Sequence, residues 1–375
     1  MKTIDKIVRI IGSMIIVLMI ASCSSGKKEK QKLSSEQIET KYSSGVVLVK
    51  NSFFYSISFE GCKPFYFSGL DENGTPQNLT LNPDEIKPQV LFGTGFFVSK
   101  DGLIATNSHV ASPAIDISSA RSKIMNAFRE LANECSKEIN DINEKLGIIQ
   151  LAIISAESYS DRNEYQRGYD KLVKERDSAQ EFVNMVNSMG GSEYKASVHT
   201  DVGVAFNDTH VTNMSDFHDC ITISEDPAHD LAIVQLKDKI TPEKKHVFKV
   251  PKNVSHKNND NNEDGDGDEA IKSKKKSIRV GKKLYMIGFN LGPTLALTDH
   301  GVKAQVTSGE VSQDTDDSKI MYTIPSLHGS SGSPVIDQYG KLVAVNFAGV
   351  NDTQSFNYGI KVNHLKKLLS SLQED

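Results

Sequence analysis

From Gly45 onward the chain is written largely in short runs of β-branched and aromatic residues closed by glycine or asparagine, and this texture limits the fold more than any other feature. Residues 46–49 and 53–59 come first, and the pattern returns at 93–98, 103–106, 230–236, 283–289, 302–311, 321–324, 334–336 and 342–347. Runs of this kind predict strands. No helices alternate with them, which argues against a parallel α/β sheet and for a barrel or sandwich. With 38% hydrophobic and 24% charged residues over 375 positions, the chain has the means to fill a sizeable core.

One stretch, residues 116–191, breaks the pattern. Ile124, Phe128, Leu131, Cys135, Ile139, Ile142, Leu146 and Ile149 recur at spacings of three and four, which is the stripe of a long amphipathic helix. After a polar connection at 155–161, a second stripe runs through Tyr165, Tyr169, Leu172, Ala179, Phe182, Val186 and Met189 and stops at Gly190-Gly191. Two such helices predict an inserted antiparallel α-helical hairpin, a short coiled coil whose stripes bury each other. It reads as a structural appendage, with docking of a protein partner or guiding of substrate as the alternative.

The N-terminus reads as an address. Lys2, Lys6 and Arg9 precede an apolar stretch ending in Ile20-Ala21-Ser22-Cys23, the form of a signal peptide at residues 1–22. The small residues before a cysteine resemble the lipobox of bacterial lipoproteins, which implies lipidation of Cys23 and a place in the cell envelope, tethered to a membrane outside the cytoplasm. Residues 23–38, rich in Ser and Lys, are expected to be a flexible tether, and residues 39–375 the folded domain. Only Cys62, Cys135 and Cys220 then remain, which excludes a disulfide framework. Residues 253–276 are polar throughout and resemble a Ca²⁺ loop, but counted from Asp260 the twelfth position is Ile271 where a glutamate is required, so a disordered surface loop is expected and no metal site. The 43 basic and 48 acidic residues leave a net charge of -5, without the basic surface that nucleic acid demands.

Three segments carry chemistry. Gly93-Thr-Gly-Phe-Phe-Val-Ser-Lys-Asp-Gly-Leu-Ile-Ala-Thr-Asn-Ser-His109 reads as strand, tight turn, strand, and a histidine just past the strand end. His229-Asp230-Leu-Ala-Ile-Val-Gln-Leu236 places a carboxylate at the mouth of an apolar strand, where it needs a partner; Asp226 is the alternative. His328-Gly329-Ser330-Ser331-Gly332-Ser333-Pro334 is a glycine-flanked bend that exposes a serine and turns amides toward one point. A base, an orienting carboxylate, a hydroxyl nucleophile and amide donors are the parts of serine acyl transfer.

On these residues the sequence resembles the chymotrypsin-like (trypsin-like) serine proteases, above all the bacterial branch with the HtrA/Do-type and glutamyl endopeptidase enzymes. GTGFFVSKDGLIATNSHV is similar to the family's histidine block, HDLAIVQL to its aspartate block, GSSGSPV to its nucleophile block, and residues 357–368 to its last strand and helix. The resemblance implies a mainly β fold of two six-stranded antiparallel barrels, with the site between them. It implies His109 as general base, Asp230 as orienting carboxylate, Ser331 as nucleophile, and the N–H groups of Gly329 and Ser331 as oxyanion hole. Ser330 stands where the family has Asp or Asn. No PDZ-like domain is expected after the protease fold, since seven residues remain after Leu368.

The substrate pocket is expected at Pro325, His328, Asn346, Phe347 and Ala348, which offer an apolar wall and no acidic floor for Lys or Arg. The expected function is a membrane-anchored serine endopeptidase acting on peptide or protein substrates through an acyl-enzyme, without cofactor. The alternatives are a weakly catalytic protease fold serving assembly through its hairpin, and a hydrolase of non-peptide esters.

Overall fold

A computed structural model describes residues 31–59, 63–115, 117–189, 193–251, 278–314, 316–349 and 356–372. The first six long strands are β1 (Val46–Phe59), β2 (Gln89–Phe97), β3 (Leu103–Thr106), β4 (Tyr194–Phe206), β5 (His218–Asp226) and β6 (Leu231–Leu236). All their pairings are antiparallel, in the order β1-β2-β3-β6-β5-β4, and β4 pairs back onto β1 to close a barrel. The next six are β7 (Lys283–Gly288), β8 (Gln305–Gln313), β9 (Lys319–Tyr322), β10 (Pro334–Asp337), β11 (Leu342–Gly349) and β12 (Asn357–Lys361). They repeat the same order, β7-β8-β9-β12-β11-β10, and close through β7 and β10. The two six-stranded barrels implied by the resemblance are present.

Each barrel fills its interior with the inward positions of its strands: Val47, Val49, Phe97, Ile104 and Val234 in the first, Met286, Val311, Ile320 and Val335 in the second. A third cluster runs between them, joining Val46, Leu48, Phe96 and Ile233 to Tyr285, Ile287, Val345 and Leu365. Apolar surface on the outer faces of both barrels is thus removed from water at their contact, which holds the cleft between them to one geometry.

The inserted hairpin is α3 (Ile117–Ser155) and α4 (Tyr159–Ser188), after the single turn α2 (Ser108–Ala111). At 39 residues, α3 is roughly 58 Å long. The connection is shorter than the sequence suggests, because Ser158 caps α4 by accepting from the Asp161 N–H at 3.1 Å. The hairpin sits on the outer ends of β1 and β4, which pair as a ribbon from Val47↔Phe206 to Phe59↔Tyr194. Phe53, Tyr55, Ile57 and Phe65 form the seat, against Ile124, Phe128, Val183 and Val186 of the helices, with the Phe65 and Phe128 rings stacked at 4.8 Å.

Three expectations change. The tether is shorter than residues 23–38: α1 (Ser35–Tyr42) starts within it, with Ser34 and Gln37 forming a reciprocal cap and Ile38 buried in the cluster between the barrels. Low apolar content misleads here because one isoleucine at the right turn suffices. Residues 46–59 are one strand rather than two, since the polar Lys50 and Asn51 are buried with partners, Asp201 and the end of α2. The run at 302–311 is two elements, with Gly301–Val302 pairing with Leu297–Thr298 before β8 begins. Residues 1–22, Cys23, Cys62 and the loop 253–276 lie outside the described residues. Of the remaining cysteines, Cys135 is half-buried and Cys220 buried, and burial pushes the Cys220 thiol up to about 12.

Candidate active site

β3 and β6 are antiparallel neighbours with Thr106 opposite Ala232, so the end of one strand lies beside the start of the other. That register brings together His109, on the turn after β3, and Asp230, the residue before β6, although they stand 121 positions apart in the chain. His109 Nδ1 is 2.8 Å from Asp230 Oδ2, and the His109 backbone N–H donates to Asp230 Oδ1 at 2.9 Å. An ionised carboxylate only accepts, so Nδ1 carries the ring proton and Nε2 presents its lone pair. The histidine side chain is 43% exposed and the aspartate 23%. Asp230 itself is left-handed, φ 50°, at the end of the turn Pro227–His229, and Asn107 Nδ2 donates to its carbonyl at 2.7 Å. Asp226, the other candidate carboxylate, is committed elsewhere, to His229 Nδ1 at 2.7 Å.

The second barrel contributes the bend before β10. Three hydroxyls compete there, and burial separates them. Ser333 is fully buried and Ser330 is 1% exposed, whereas Ser331 is half-buried and reaches the surface. The bend requires glycine at two places. Gly329 has φ 92° and Gly332 has φ 88°, and a Cβ on Gly332 would stand 2.0 Å from the Thr94 carbonyl oxygen. Neither the Gly329 nor the Ser331 N–H donates to an acceptor among the described residues, so both amides are available to a ligand. The preceding carbonyl, that of His328, is turned away and held by the Leu291 N–H at 2.6 Å.

Ser330 is braced although it is neither Asp nor Asn. Its hydroxyl donates to the Leu327 carbonyl at 2.6 Å, and Ser326 Oγ lies 2.7 Å from it. Asn346 Nδ2 donates to the Ser330 carbonyl at 3.0 Å and to Ser326 Oγ at 3.1 Å, and Asn346 Oδ1 accepts from the Tyr322 hydroxyl at 2.7 Å. Burial raises the Tyr322 pKa well above its ordinary value, which keeps that donor protonated. A neutral network thus supports the loop.

Two residues that the sequence reading passed over support the site, Thr94 across the barrels and Asn51 within the first. Thr94 in β2, fully buried, donates from Oγ1 to the Gly329 carbonyl at 2.7 Å and accepts there from the Phe289 N–H at 3.0 Å. Its own N–H donates to the Ser331 carbonyl at 2.8 Å, and its carbonyl accepts from Thr106 Oγ1 at 2.8 Å. Beside it, Gly93 lies between the residue after the histidine and the serine: a Cβ there would come within 2.6 Å of Val110 Cγ1 and 3.3 Å of the Ser331 oxygen. Asn51 in β1 donates from Nδ2 to the Val110 and Ala111 carbonyls, both at 2.9 Å, and so closes the C-terminus of α2, the helix that carries His109. The available signal for each was a polar residue inside an apolar run. Among the described residues the His109 imidazole bonds to Asp230 and not to Ser331 Oγ; such catalytic contacts often form only when substrate binds.

The expected pocket residues are spread over both sides of this bend. Pro325 and His328 are exposed. The Asn346 side chain is turned to the Ser330 loop, as above, and is 1% exposed. Phe347 is half-buried, with Lys319 Nζ 5.2 Å above its ring, and Ala348 pairs with Tyr358 across β11 and β12. Among the described residues no group of three or more His, Cys, Asp or Glu is placed to hold a metal ion, and no helix is long and apolar enough to cross a membrane.

One closed barrel thus supplies a histidine–carboxylate pair, and the other, of identical strand order, supplies a glycine-flanked serine turn. Residues 174–345 match the family model described as a trypsin-like peptidase domain. The matched interval holds Asp230 and Ser331, while His109 lies ahead of it, on the other side of the hairpin. Among solved structures, the serine endoprotease from Yersinia pestis is similar at 12% identity, covering 92% of this chain and 68% of that one, with a TM-score of 0.42. No curated protein matches the sequence.

Proposed function

We propose that the protein is a serine endopeptidase, exported and held at a membrane through a lipid on Cys23, that cleaves peptide bonds through an acyl-enzyme. The observation that carries the reading is the contact of His109 Nδ1 with Asp230 Oδ2 at 2.8 Å beside a serine bend whose two amides are unoccupied. In this mechanism substrate binding draws Ser331 Oγ to His109 Nε2. The imidazole takes the hydroxyl proton as Oγ attacks the scissile carbonyl carbon, and Asp230 stabilises the imidazolium that results. The carbonyl oxygen, now negative, receives hydrogen bonds from the Gly329 and Ser331 N–H groups. His109 returns the proton to the leaving amine, and water then repeats the sequence in reverse roles to release the acid.

The fixed position of the His328 carbonyl and the Ser330 network support a hole formed before substrate arrives, so the enzyme should need no activating cleavage. Fluorophosphonate labelling of the full chain, with Ser331→Ala and His109→Ala as controls and a peptide-library digest alongside, tests the reading. Labelling that both substitutions abolish, with cleavage products, is the expected result. A folded chain that neither labels nor cleaves overturns it. For the anchor, mass spectrometry of membrane-expressed protein should find a lipidated Cys23 at the N-terminus; an intact leader would remove that part alone.

A further inference from the structure

The grip of Asp230 on His109 occurs a second time in the same short stretch of chain. Asp230 takes the His109 backbone N–H on Oδ1 and the Nδ1 proton on Oδ2. Asp226 holds His229 in the same way, with the backbone N–H on Oδ1 at 3.3 Å and Nδ1 at 2.7 Å from Oδ2. The ring so held is stacked on that of His364, with centroids 3.8 Å apart and planes at 28°. His364 belongs to α5 (Val362–Ser371), which continues from β12 of the second barrel and packs on β5 and β6 of the first. Its Leu365 lies in the same buried cluster as Leu231. His364 is 6% exposed, and its Nε2 is 3.3 Å from the Asp317 carbonyl oxygen, which only accepts, so Nε2 carries the proton. Nδ1 is then a bare lone pair, buried with no partner among the described residues.

The place of this stack in the chain gives it a consequence. His229 is the residue before Asp230, and Asp230 is left-handed at φ 50°, a conformation an aspartate tolerates but does not enforce. The single turn Pro227–His229 that leads into it is fixed by Asp226 at the edge of the His229 ring and by His364 over its face. We propose that Asp226, His229 and His364 are positioning residues that aim Asp230 at His109 and make that aim depend on the last helix of the second barrel. As a statement about catalysis this rests on the function proposed above. The device has an acid limit. Burial holds His364 below the ordinary histidine value, the facing His229 and Lys367 act in the same direction, and the Asp317 carbonyl and Asp226 oppose them. A proton on His364 Nδ1 finds no acceptor, and with His229 also charged it sets like charges at stacking distance, so the stack parts in acid and Asp230 loses its aim.

Magnetic resonance of the full chain carrying ¹⁵N-histidine tests the aim without requiring turnover. At about pH 7.5 the Nδ1 proton of His109, assigned by its loss in His109→Ala, should be resolved. His364→Ala removes the ring over His229, and Asp226→Asn leaves one acceptor for two N–H groups; in each the His109 proton should broaden or vanish. His364→Phe keeps a stacked ring and should retain it. In cleavage assays kcat should fall about tenfold in His364→Ala and Asp226→Asn with KM little changed, and His364→Phe should restore it. At the acid end the unsubstituted chain should lose activity about a hundredfold per pH unit, with two protons, and His364→Phe about tenfold, with one. A His109 proton absent from the unsubstituted chain, or unchanged in folded Asp226→Asn and His364→Ala, overturns the proposal, as does a His364→Phe that behaves like His364→Ala. Fluorophosphonate labelling of the unsubstituted chain judges the protease reading separately: a chain that does not label but whose His109 proton responds as stated loses that reading and keeps the positioning.

Discussion

The two barrels share one strand order yet hold their halves of the site by different means. In the first, His109 and Asp230 sit at the ends of adjacent strands, and the ladder between β3 and β6 sets their spacing. In the second, Ser331 rides a bend of left-handed glycines that depends on individual side chains, Asn346, Ser326, Ser330 and, from the other barrel, Thr94. The difference explains where the fold tolerates change. A strand-end pair keeps its geometry while a long helical hairpin is inserted between its members, because the ladder is indifferent to what joins the strands. A bend held by a few side chains has no such reserve.

The largest expected effect comes from removing the first barrel's contribution without moving its backbone. Asp230→Asn should lower kcat by about 10⁴, since the amide donates to Nδ1 and shifts the ring proton to Nε2. Raising the pH should not restore activity, and single-turnover kinetics would check this. Next, Thr94→Val keeps the shape of the clamp while removing both side-chain hydrogen bonds. It should cost about 1–3 kcal/mol of stability and lower kcat by more than tenfold while KM changes little. Equal changes in kcat and KM would mean that the clamp shapes binding instead. Asn346→Ala strikes the second barrel alone and should weaken turnover by about tenfold without altering the pH profile, whereas Asn51→Ala, which frees the end of α2, should displace that profile.

The smallest expected effect is on stability. Burial holds His246 and His364 below the ordinary histidine value, His246 between Tyr42 and Phe248 and His364 on α5 (Val362–Ser371) against His229. The unfolded chain therefore binds these protons more readily than the folded one. Their contribution is present above about pH 6.5 and is lost as the pH falls below it. Thermal melts at about pH 7.5 and about pH 5.5 should show the lower midpoint in acid, and His246→Phe should reduce the difference.

Much of this was legible in the sequence. The turn Lys100-Asp101-Gly102 and the strand 103–106 were readable because period and punctuation agree, and the hairpin because its stripes run unbroken over many turns. The strand Tyr194–Phe206 was missed. Its outer half, Lys195 to Asp201, alternates weakly and mixes exposed with half-buried positions, as a ribbon overhanging a barrel does. The His109–Asp230 contact could be nominated from its two blocks, but Thr94 and Asn51 could not. Their hydrogen bonds reach residues 235 and 60 positions away, and a polar residue in a strand says nothing of what lies across from it. The brace on Ser330 was illegible for the same reason, since Asn346 read as part of a pocket wall.

The hairpin's place in the chain also bears on how the molecule acquires its structure. The His109–Asp230 contact closes a loop of 121 residues, which for a flexible chain makes it a late event. α3 and α4, however, pair through contacts that need only a short turn at residues 156–158. Once they have formed, the 30-residue α4 has brought the chain back alongside the early turns of the 39-residue α3, and about half of that loop no longer has to be searched. By loop entropy alone the saving is under ~1 kcal/mol, small for equilibrium stability. For the folding rate it turns one of the first barrel's long-range contacts into one of ordinary range.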